Sequence, residues 1–191
     1  MRRIIYRQSL FWLCCLIAAC IKAPEISEQL YTLEASQHLY AIDNWNFQGR
    51  LALHSDQDSW SANLHWQHQP ELDRIKLSGP MGQGAVIIEL RGDCMTIDQA
   101  EDGVEFSCDP DELIQRRVGI FVPVTDLSLW VLGLPGKDGE YQKIPGGFIQ
   151  SGWRIRVRQS MRVQNELLPH KIVIANQNTK LKLVIDQWVL N

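Results

Sequence analysis

The sequence predicts a mainly β fold, in which an antiparallel sheet of many strands carries a few short helices. Apolar and polar residues alternate in several segments, most clearly from Trp60 to Trp66, as in strands with one dry and one wet face. Turn-forming residues separate neighbouring segments by short intervals, which favours antiparallel hairpins. Between about residues 110 and 134 the alternation stops, and two segments with helix start signals take its place.

The start of the chain is predicted to be a lipoprotein signal peptide over residues 1–19. Basic residues precede a short apolar stretch that ends in Ile17-Ala18-Ala19-Cys20, whose small residues admit a peptidase before the cysteine. The dozen or so mostly apolar residues from Gln8 to Ala19 fall short of the roughly twenty that cross a bilayer as a helix. We therefore expect lipidation of Cys20; a transmembrane anchor and a plain secretory signal are the alternatives.

The residue after the predicted lipidation site bears on the destination of the protein. In the lipoprotein sorting rule that such a signal implies, aspartate at this position favours retention in the inner membrane, whereas this chain has Ile21. We therefore expect anchoring through Cys20 at the periplasmic face of the outer membrane.

Residues 20–191, which remain after cleavage, have a length typical of one domain. Three of the 19 Lys and Arg residues and none of the 22 Asp and Glu residues lie in the signal segment, so the remainder has a formal charge of −6. This acidic balance argues against nucleic acid as a partner.

The first predicted element after the signal is a helix over residues 25–42. Ile26, Leu30, Leu33 and Tyr40 lie close to one stripe at 3.6 residues per turn, which is typical of a helix with one apolar face. Strand-like alternation then begins at Trp45. Further predicted strands cover residues 60–66, 74–78, 85–90, 94–97, 104–107, 153–157, 171–175 and 181–190.

Two short helices are predicted where the alternation stops. Asp109-Pro110-Asp111-Glu112 opens the first, and Pro123-Val124-Thr125-Asp126 opens the second. Gly133-Leu134-Pro135-Gly136 ends the second helix. Both helices must pack on the sheet or across its mouth.

Cys94 and Cys108 are the two cysteines that follow Cys20. They flank a turn, so a hairpin would bring them to nearby positions, and an oxidising compartment would allow a disulfide. Two unpaired thiols are the alternative, because the strand register cannot be read from the sequence. No residues have the spacing of metal ligands, since His65 and His68 are three apart and fall on opposite faces of a strand.

Large aromatic side chains lie on the apolar faces of the predicted strands. Trp60, Trp66 and Trp153 all point inward by their alternation with polar neighbours. In a barrel-like sheet such residues either fill the interior or line a cavity for an apolar ligand. Their pattern alone leaves both interpretations open and favours an ordinary core.

A series of motifs in this chain resembles the family of outer-membrane lipoprotein receptors called LolB. The series spans roughly residues 40–190 and is more specific as an ordered set than any one of its parts. Its members are Trp45-x-x-x-Gly49-Arg50, Trp60 to Trp66, Leu77-Ser78-Gly79-Pro80-Met81-Gly82, Leu127-x-x-Trp130-Val131-x-Gly133-Leu134-Pro135, Gly152-Trp153 and Leu168-Pro169-x-Lys171-Ile172.

The resemblance implies an unclosed antiparallel β-barrel with a lid of short α-helices over a hydrophobic cavity. It also implies a single lipoprotein-binding domain that accepts triacylated lipoproteins from the periplasmic carrier LolA and inserts them into the inner leaflet of the outer membrane without ATP. Such a protein is expected to be a monomer with no cofactor and no catalytic residue. The resemblance favours a cavity wall over a filled core for the inward residues, and the predicted lining is Trp60, Leu64, Trp66, Leu77, Trp130, Trp153 and Ile155.

The loop from Gly79 to Gly84 is the second site that the resemblance marks. Three glycines and a proline indicate a tight turn, and Met81 at its tip is apolar. The family has a leucine on a protruding loop at the matching position, which implies a membrane-insertion role for Met81 with its neighbours Pro80 and Gly82. Folding of Met81 back onto the sheet is the alternative.

Arg154, Arg156 and Arg158 form a positive row on one predicted strand. Most such rows are solvated faces, and attraction to anionic lipid head groups or to an acidic patch on the carrier is the functional alternative. An enzyme is disfavoured because the sequence has no Gly-x-Ser-x-Gly motif. The residues by themselves leave open a binder of small apolar molecules and a scaffold lipoprotein of the envelope.

Overall fold

The computed structural model describes residues 31–56, 58–79, 84–99 and 103–191 and, for the backbone alone, residues 26–27. Most of these residues belong to one antiparallel sheet, as the alternation predicts. Its strands are β1 (Ile26–Ser27), β2 (Trp45–Ser55), β3 (Ser59–Gln69), β4 (Leu72–Ser78), β5 (Val86–Arg91), β6 (Cys94–Gln99), β7 (Gly103–Ser107), β8 (Tyr141–Ile144), β9 (Gly147–Gln150), β10 (Trp153–Val163), β11 (Glu166–Ala175) and β12 (Thr179–Leu190).

The sheet is open in its strand order and curved around a cavity. Neighbours run β7-β6-β5-β4-β3-β2-β12-β11-β10-β9-β8, and β1 pairs with β10 beside this path. Met95 on β6 and Ile174 on β11 are six strands apart, which is roughly 29 Å at about 4.8 Å per strand in a flat sheet. Both nevertheless line one small cavity, so the sheet bends around it. Within the described residues, β7 and β8 do not pair with each other and form the two edges.

The strands form where the sequence alternates, because each strand has one side toward the interior. On β12, Leu181, Leu183 and Ile185 are buried, whereas Lys180 and Lys182 are exposed. Gly49 on β2 has no room for a side chain, because a Cβ at this position would lie 2.3 Å from the Val184 carbonyl oxygen. The missing side chain lets β2 and β12 approach beside the register shift in β12 that follows Ile185.

Three short helices in the described ranges lie outside the sheet. They are α1 (Leu33–Ser36), which continues as a 3₁₀ turn over Gln37–Ala41, α2 (Pro110–Val118) and α3 (Val124–Trp130). The Asp109 carboxylate accepts a hydrogen bond from the Glu112 N–H at 3.0 Å and starts α2. The Asp111 carboxylate accepts one from the Val124 N–H at 3.0 Å, which joins the start of α3 to α2. We call residues 108–136, which contain α2 and α3, the lid.

The predicted helix over residues 25–42 is wrong at its start. Ile26 and Ser27 form a strand that pairs with Met161 and Ser160 of β10, and the first helix in the described residues starts at Leu33. The apolar stripe could not show that this segment pairs with β10, because that pairing joins distant parts of the chain. The β8–β9 hairpin was not predicted either, because its two strands have only four residues each and show little alternation. No helix in the described part of the chain is long and apolar enough to cross a membrane.

Candidate functional site

An apolar cavity of about 130 Å³ lies between the inner face of the sheet and the lid. All of its lining side chains are apolar, so among the described residues no titratable group faces it. A cavity of this kind attracts hydrocarbon without directional preference and offers no group for acid–base or nucleophilic chemistry. The lining is Leu51, Leu53, Trp60, Leu64, Trp66, Ile75, Leu77, Ile88, Met95, Ile114, Val118, Ile120, Val122, Val124, Leu127, Val131, Ile174, Leu181 and Leu183.

Each wall of the cavity follows from a local sequence pattern. The sheet wall comes from the inward positions of alternating strands, such as Leu64 and Trp66 on β3. Ile114 and Val118 on α2 are four residues apart, so they lie on the same face of that helix and form part of the roof. The connection between the helices completes the roof with Ile120. The sequence prediction missed these roof residues, although the i, i+4 spacing on α2 is a signal for them.

A second hollow of about 280 Å³ connects the cavity to the surface. It shares five wall residues with the cavity, namely Trp60, Leu77, Ile88, Ile114 and Val118. Its other residues include the polar Asp58, Gln99 and Arg117, and also Gly79 and Gly84. The cavity therefore continues toward the place where the chain leaves β4 for β5.

This opening lies at one end of the sheet. Ser55 at the end of β2 is opposite Thr179 at the start of β12, and Ser78 at the end of β4 is opposite Asn63 near the start of β3. The strand ends at these residues are therefore on the same side, which we call the mouth end. The opposite end holds Trp45, at the start of β2.

Four of the predicted lining residues, Trp60, Leu64, Trp66 and Leu77, lie on the cavity wall. The other three, Trp130, Trp153 and Ile155, are buried but are not among the residues that line this cavity.

Around these residues, the C-terminal end of the lid packs on β9 and β10. The Trp130 and Trp153 ring centroids are 6.3 Å apart, and the Trp130 indole N–H donates to the Gln150 side-chain oxygen at 3.0 Å. The same oxygen accepts from the Gly136 N–H at 2.6 Å. A buried polar side chain with this many partners fixes its neighbours. Sequence reasoning did not identify Gln150, because nothing in its local pattern shows what it contacts.

The lid is attached at both of its ends. Cys94 on β6 and Cys108 at the start of the lid form a disulfide, the pairing that the hairpin favoured. At the other end, the Tyr31 hydroxyl donates to the Gly133 carbonyl, and the Tyr40 hydroxyl donates to the Pro135 carbonyl at 2.8 Å. Burial raises the pKa of Tyr31 well above its ordinary value, so this donor stays protonated. The segment between these attachments forms the middle of the roof.

One carboxyl group on the lid has a shifted pKa. Burial first, and then the nearby Asp111 and Asp138 carboxylates, raise the pKa of Asp126 on α3. Asp126 faces Gly136, where the lid returns to the sheet. This group does not line the cavity.

The remaining predicted sites are placed as follows. Cys20, Pro80, Met81 and Gly82 lie outside the described residues. Arg154, Arg156 and Arg158 alternate with buried residues on β10, so they lie on the outer face of the sheet, away from the cavity. No group of three or more His, Cys, Asp or Glu residues in the described ranges has the geometry of a metal site.

The chain has relatives among known proteins. The family model described as outer membrane lipoprotein LolB matches residues 43–188. The outer-membrane lipoprotein LolB of Chromohalobacter salexigens is 30% identical over 185 residues, covering 92% of this chain and 86% of its own length. The outer-membrane lipoprotein LolB of Nitrosococcus oceani is 30% identical over 186 residues. That alignment covers 92% of this chain and 92% of the relative.

Among solved structures, a LolA superfamily protein from Nitrosomonas europaea aligns with a TM-score of 0.48 at 9% identity, over 83% of this chain and 91% of its own.

The family match spans most of the chain, and the relatives are covered over nearly their whole length. The chain therefore belongs to the LolB family of outer-membrane lipoproteins.

Proposed function

We propose that this protein accepts triacylated lipoproteins from a LolA-like periplasmic carrier and inserts them into the inner leaflet of the outer membrane. In this proposal Cys20 is lipidated and holds the protein at the periplasmic face. The observation that carries the proposal is the wholly apolar cavity beneath the lid, with its opening at the mouth end. The names of the relatives support an outer-membrane lipoprotein in the sorting pathway.

The cavity suits a cargo that is recognised by its lipid alone. Each CH₂ group of an acyl chain gains about 0.8 kcal/mol when it leaves water. An apolar wall provides this gain for any cargo protein that carries the same lipid, because the interaction is not directional. A single site can then serve many lipoproteins.

The cavity is too small in this structure for several acyl chains. Its volume of about 130 Å³ lies below the roughly 300–1,000 Å³ that is usual for ligand pockets. We therefore expect the lid to move outward when cargo enters, with the bending confined between its two attachments. The disulfide at Cys108 and the hydrogen bonds of Gln150 to Gly136 keep the lid ends in place during this movement.

The transfer proceeds without ATP in this proposal, so each step must lower the free energy of the cargo. A tenfold preference for the next site corresponds to about 1.4 kcal/mol. Fewer than two buried CH₂ groups supply that difference. A modest gain in buried acyl surface at each step is therefore enough to give the pathway a direction.

Met81 is proposed to contact the membrane during delivery. The flanking residues Gly79 and Gly84 line the hollow that leads from the surface to the cavity. Met81 lies between these two residues in the sequence, and this is the support for its proposed role in cargo release. Met81→Glu should leave uptake of cargo from the carrier intact and block its delivery to liposomes.

The decisive experiment follows a labelled lipoprotein from a loaded carrier to this protein and then to liposomes. The mature chain should remove the label from the carrier and release it to the vesicles. Val118→Trp should lower uptake about tenfold, because Val118 lines both the cavity and the hollow and the larger ring excludes roughly two CH₂ groups. Val104→Trp is the matched control, since Val104 is 66% exposed on the edge strand β7.

Three outcomes would count against the proposed function. The label would stay on the carrier if the protein were an envelope scaffold or a binder of small apolar molecules. Equal uptake by the Val118→Trp variant and the wild type would remove the cavity from the mechanism. Normal delivery by the Met81→Glu variant would show that Met81 has no role in delivery.

A further inference from the structure

Basic side chains are concentrated on the outer face of the sheet, although the chain is acidic overall. Arg154 on β10 is opposite Ala175 on β11, which is opposite Lys180 on β12, which in turn is opposite His54 on β2. One residue pair further along the strands, Arg156 and Lys182 occupy equivalent outward positions. The residues outside the signal segment have a formal charge of −6, so this face differs in sign from the protein as a whole.

His54, Arg154, Arg156 and Lys180 are among the residues that surround a polar cleft of about 450 Å³, which we call the basic cleft. It is separate from the apolar cavity, because it lies on the other side of the sheet and shares no lining residue with it. Its volume is within the usual range for ligand-binding sites. Its lining is His54, Asp56, Arg154, Arg156, Arg158, Val173, Ala175, Asn176, Gln177, Asn178, Thr179 and Lys180.

The positive groups in the basic cleft have no anionic partner within the part of the chain that the structure describes. Asp56 is the one carboxylate among the lining residues, and it is not in an ion pair with Arg154, Arg156, Arg158 or Lys180. By contrast, Arg50 on the same outer face pairs with Asp186 at 3.0 Å.

Arg156 gives the most specific indication of a missing acceptor. Its Nε is buried, yet the described residues provide no hydrogen-bond acceptor for it. A buried donor without an acceptor costs free energy, and an external ligand relieves this cost once the Arg156 side chain turns toward the cleft. A guanidinium prefers the paired oxygens of a phosphate or carboxylate, which fit its planar fork.

The position of the basic cleft relates it to the mouth end. Arg154 is next to the start of β10, and Lys180 is next to the start of β12, opposite the end of β2. Ser78, where β4 leads toward Met81, lies at the same end. β4 is three strands from β12, on the order of 15 Å along the sheet. A membrane that meets the mouth end would therefore have its head groups near the basic cleft.

We propose that the basic cleft binds the phosphate of an anionic phospholipid head group at the membrane surface and so orients the mouth end toward the bilayer. This inference rests on the proposed function, which makes a membrane the destination of the cargo. A lipid surface is favoured over an acidic protein because the donors converge in a concave site at the mouth end. The site takes a phosphodiester of the phosphatidylglycerol type.

The test measures binding of the mature chain, with Cys20→Ala, to cargo-free vesicles. Phosphatidylethanolamine vesicles containing phosphatidylglycerol are compared with ones containing phosphatidylcholine. Each basic residue near an anionic surface contributes about 1 kcal/mol, so the double variant Arg154→Gln/Arg156→Gln should bind the phosphatidylglycerol vesicles roughly thirtyfold more weakly. Binding of all variants to the phosphatidylcholine vesicles should be weak and equal.

The double variant Arg74→Gln/Arg91→Gln is the matched control. It changes the net charge equally, but Arg74 and Arg91 pair with Glu89 toward the other end of the sheet. This control should bind the phosphatidylglycerol vesicles like the wild type, because surface charges farther than a Debye length contribute little. Near-ultraviolet circular dichroism of each variant checks that its tryptophan packing is unchanged.

Several results would overturn the inference. The cleft variant could bind phosphatidylglycerol vesicles like the wild type, or the two double variants could lose binding equally. A cleft variant that binds vesicles normally but no longer takes cargo from the carrier would identify an acidic protein as the partner. Tighter binding of inorganic phosphate by the wild type than by the cleft variant, together with equal vesicle binding by both, would identify free phosphate as the ligand.

The same experiments separate this inference from the proposed function. Transfer of labelled cargo by the wild type is measured in parallel. If transfer is normal and the cleft variant binds vesicles normally, only the role of the cleft fails. If the wild type does not transfer cargo, the proposed function fails whatever the vesicles show.

Discussion

The two ends of the sheet interior differ in how they are filled, although the same strands build both. Away from the mouth end, the rings of Trp45, Phe47, Trp66 and Trp188 contact one another with centroids 4.9 to 5.9 Å apart. Toward the mouth end, the same strands carry mostly aliphatic residues such as Leu53 and Leu183, and a cavity remains between them and the lid.

A single strand can therefore contribute to the packed core at one end and to the cavity wall at the other. β2 contributes Phe47 to the aromatic cluster and Leu53 to the cavity wall. Packed rings hold the curved sheet together, which allows the other end to keep space that a tightly packed core would fill. The side chains that line the cavity lack the van der Waals contacts that a filled core would give them. The packing of the aromatic cluster offsets this loss of stability. Four predictions test this comparison, and they follow from the largest expected effect to the smallest.

Phe47→Ala should destabilise the protein by about 3–5 kcal/mol, the usual cost of removing a buried aromatic ring from a packed core. The side chain is 1% exposed and contacts three other rings, so the space cannot be refilled. Urea unfolding followed by tryptophan fluorescence measures the change. A loss below about 1 kcal/mol would show that the aromatic cluster is not the rigid part of the sheet.

Removing the disulfide with Cys94→Ser/Cys108→Ser should cost about 3 kcal/mol, the chain-entropy value for a loop of this length. The bond joins β6 to the start of the lid, so its loss should also increase hydrogen exchange in α2 more than in β2. Thermal unfolding and hydrogen exchange measure the two effects. Uniform exchange across both elements would mean that the disulfide does not act on the lid in particular.

Leu53→Ala should cost less than Phe47→Ala, about 2 kcal/mol, at the low end of the range for this substitution. Leu53 already faces empty space, so fewer contacts are lost and the cavity simply becomes larger. The same urea experiment gives the value, and cargo uptake should persist. A cost equal to that of Phe47→Ala would show that the two ends are packed alike.

Asp126→Asn should give the smallest change, a gain in stability at neutral pH. The folded protein raises the pKa of this carboxyl, so ionisation above its unfolded value of 3.8 disfavours folding. The advantage of asparagine should shrink as the pH falls through the raised folded value toward 3.8, because aspartic acid is then neutral in both states. Unfolding measured across this pH range checks the sign, and a gain that grows toward acid pH would contradict it.

The sequence by itself determined the β class of the fold, most of its strands and the two lid helices. Period-two alternation directly reports which side of a strand is dry, as in Trp60 to Trp66 on β3. Local capping residues such as Asp109 likewise mark where a helix starts. The motifs that resemble the LolB family added the expectation of an open sheet, a lid and a cavity.

Only the tertiary structure decided which inward residues surround empty space. Trp66 and Trp153 have the same local pattern, yet Trp66 lies on the cavity wall, whereas Trp153 is packed against Trp130. The same holds for the pairing of Ile26 with Met161 and for the convergence of Arg154 and Lys180 in one cleft. Periodicity specifies the face of a residue, but its neighbours across the sheet come from distant parts of the chain. Whether they fill the interior depends on the curvature of the sheet and the position of the lid.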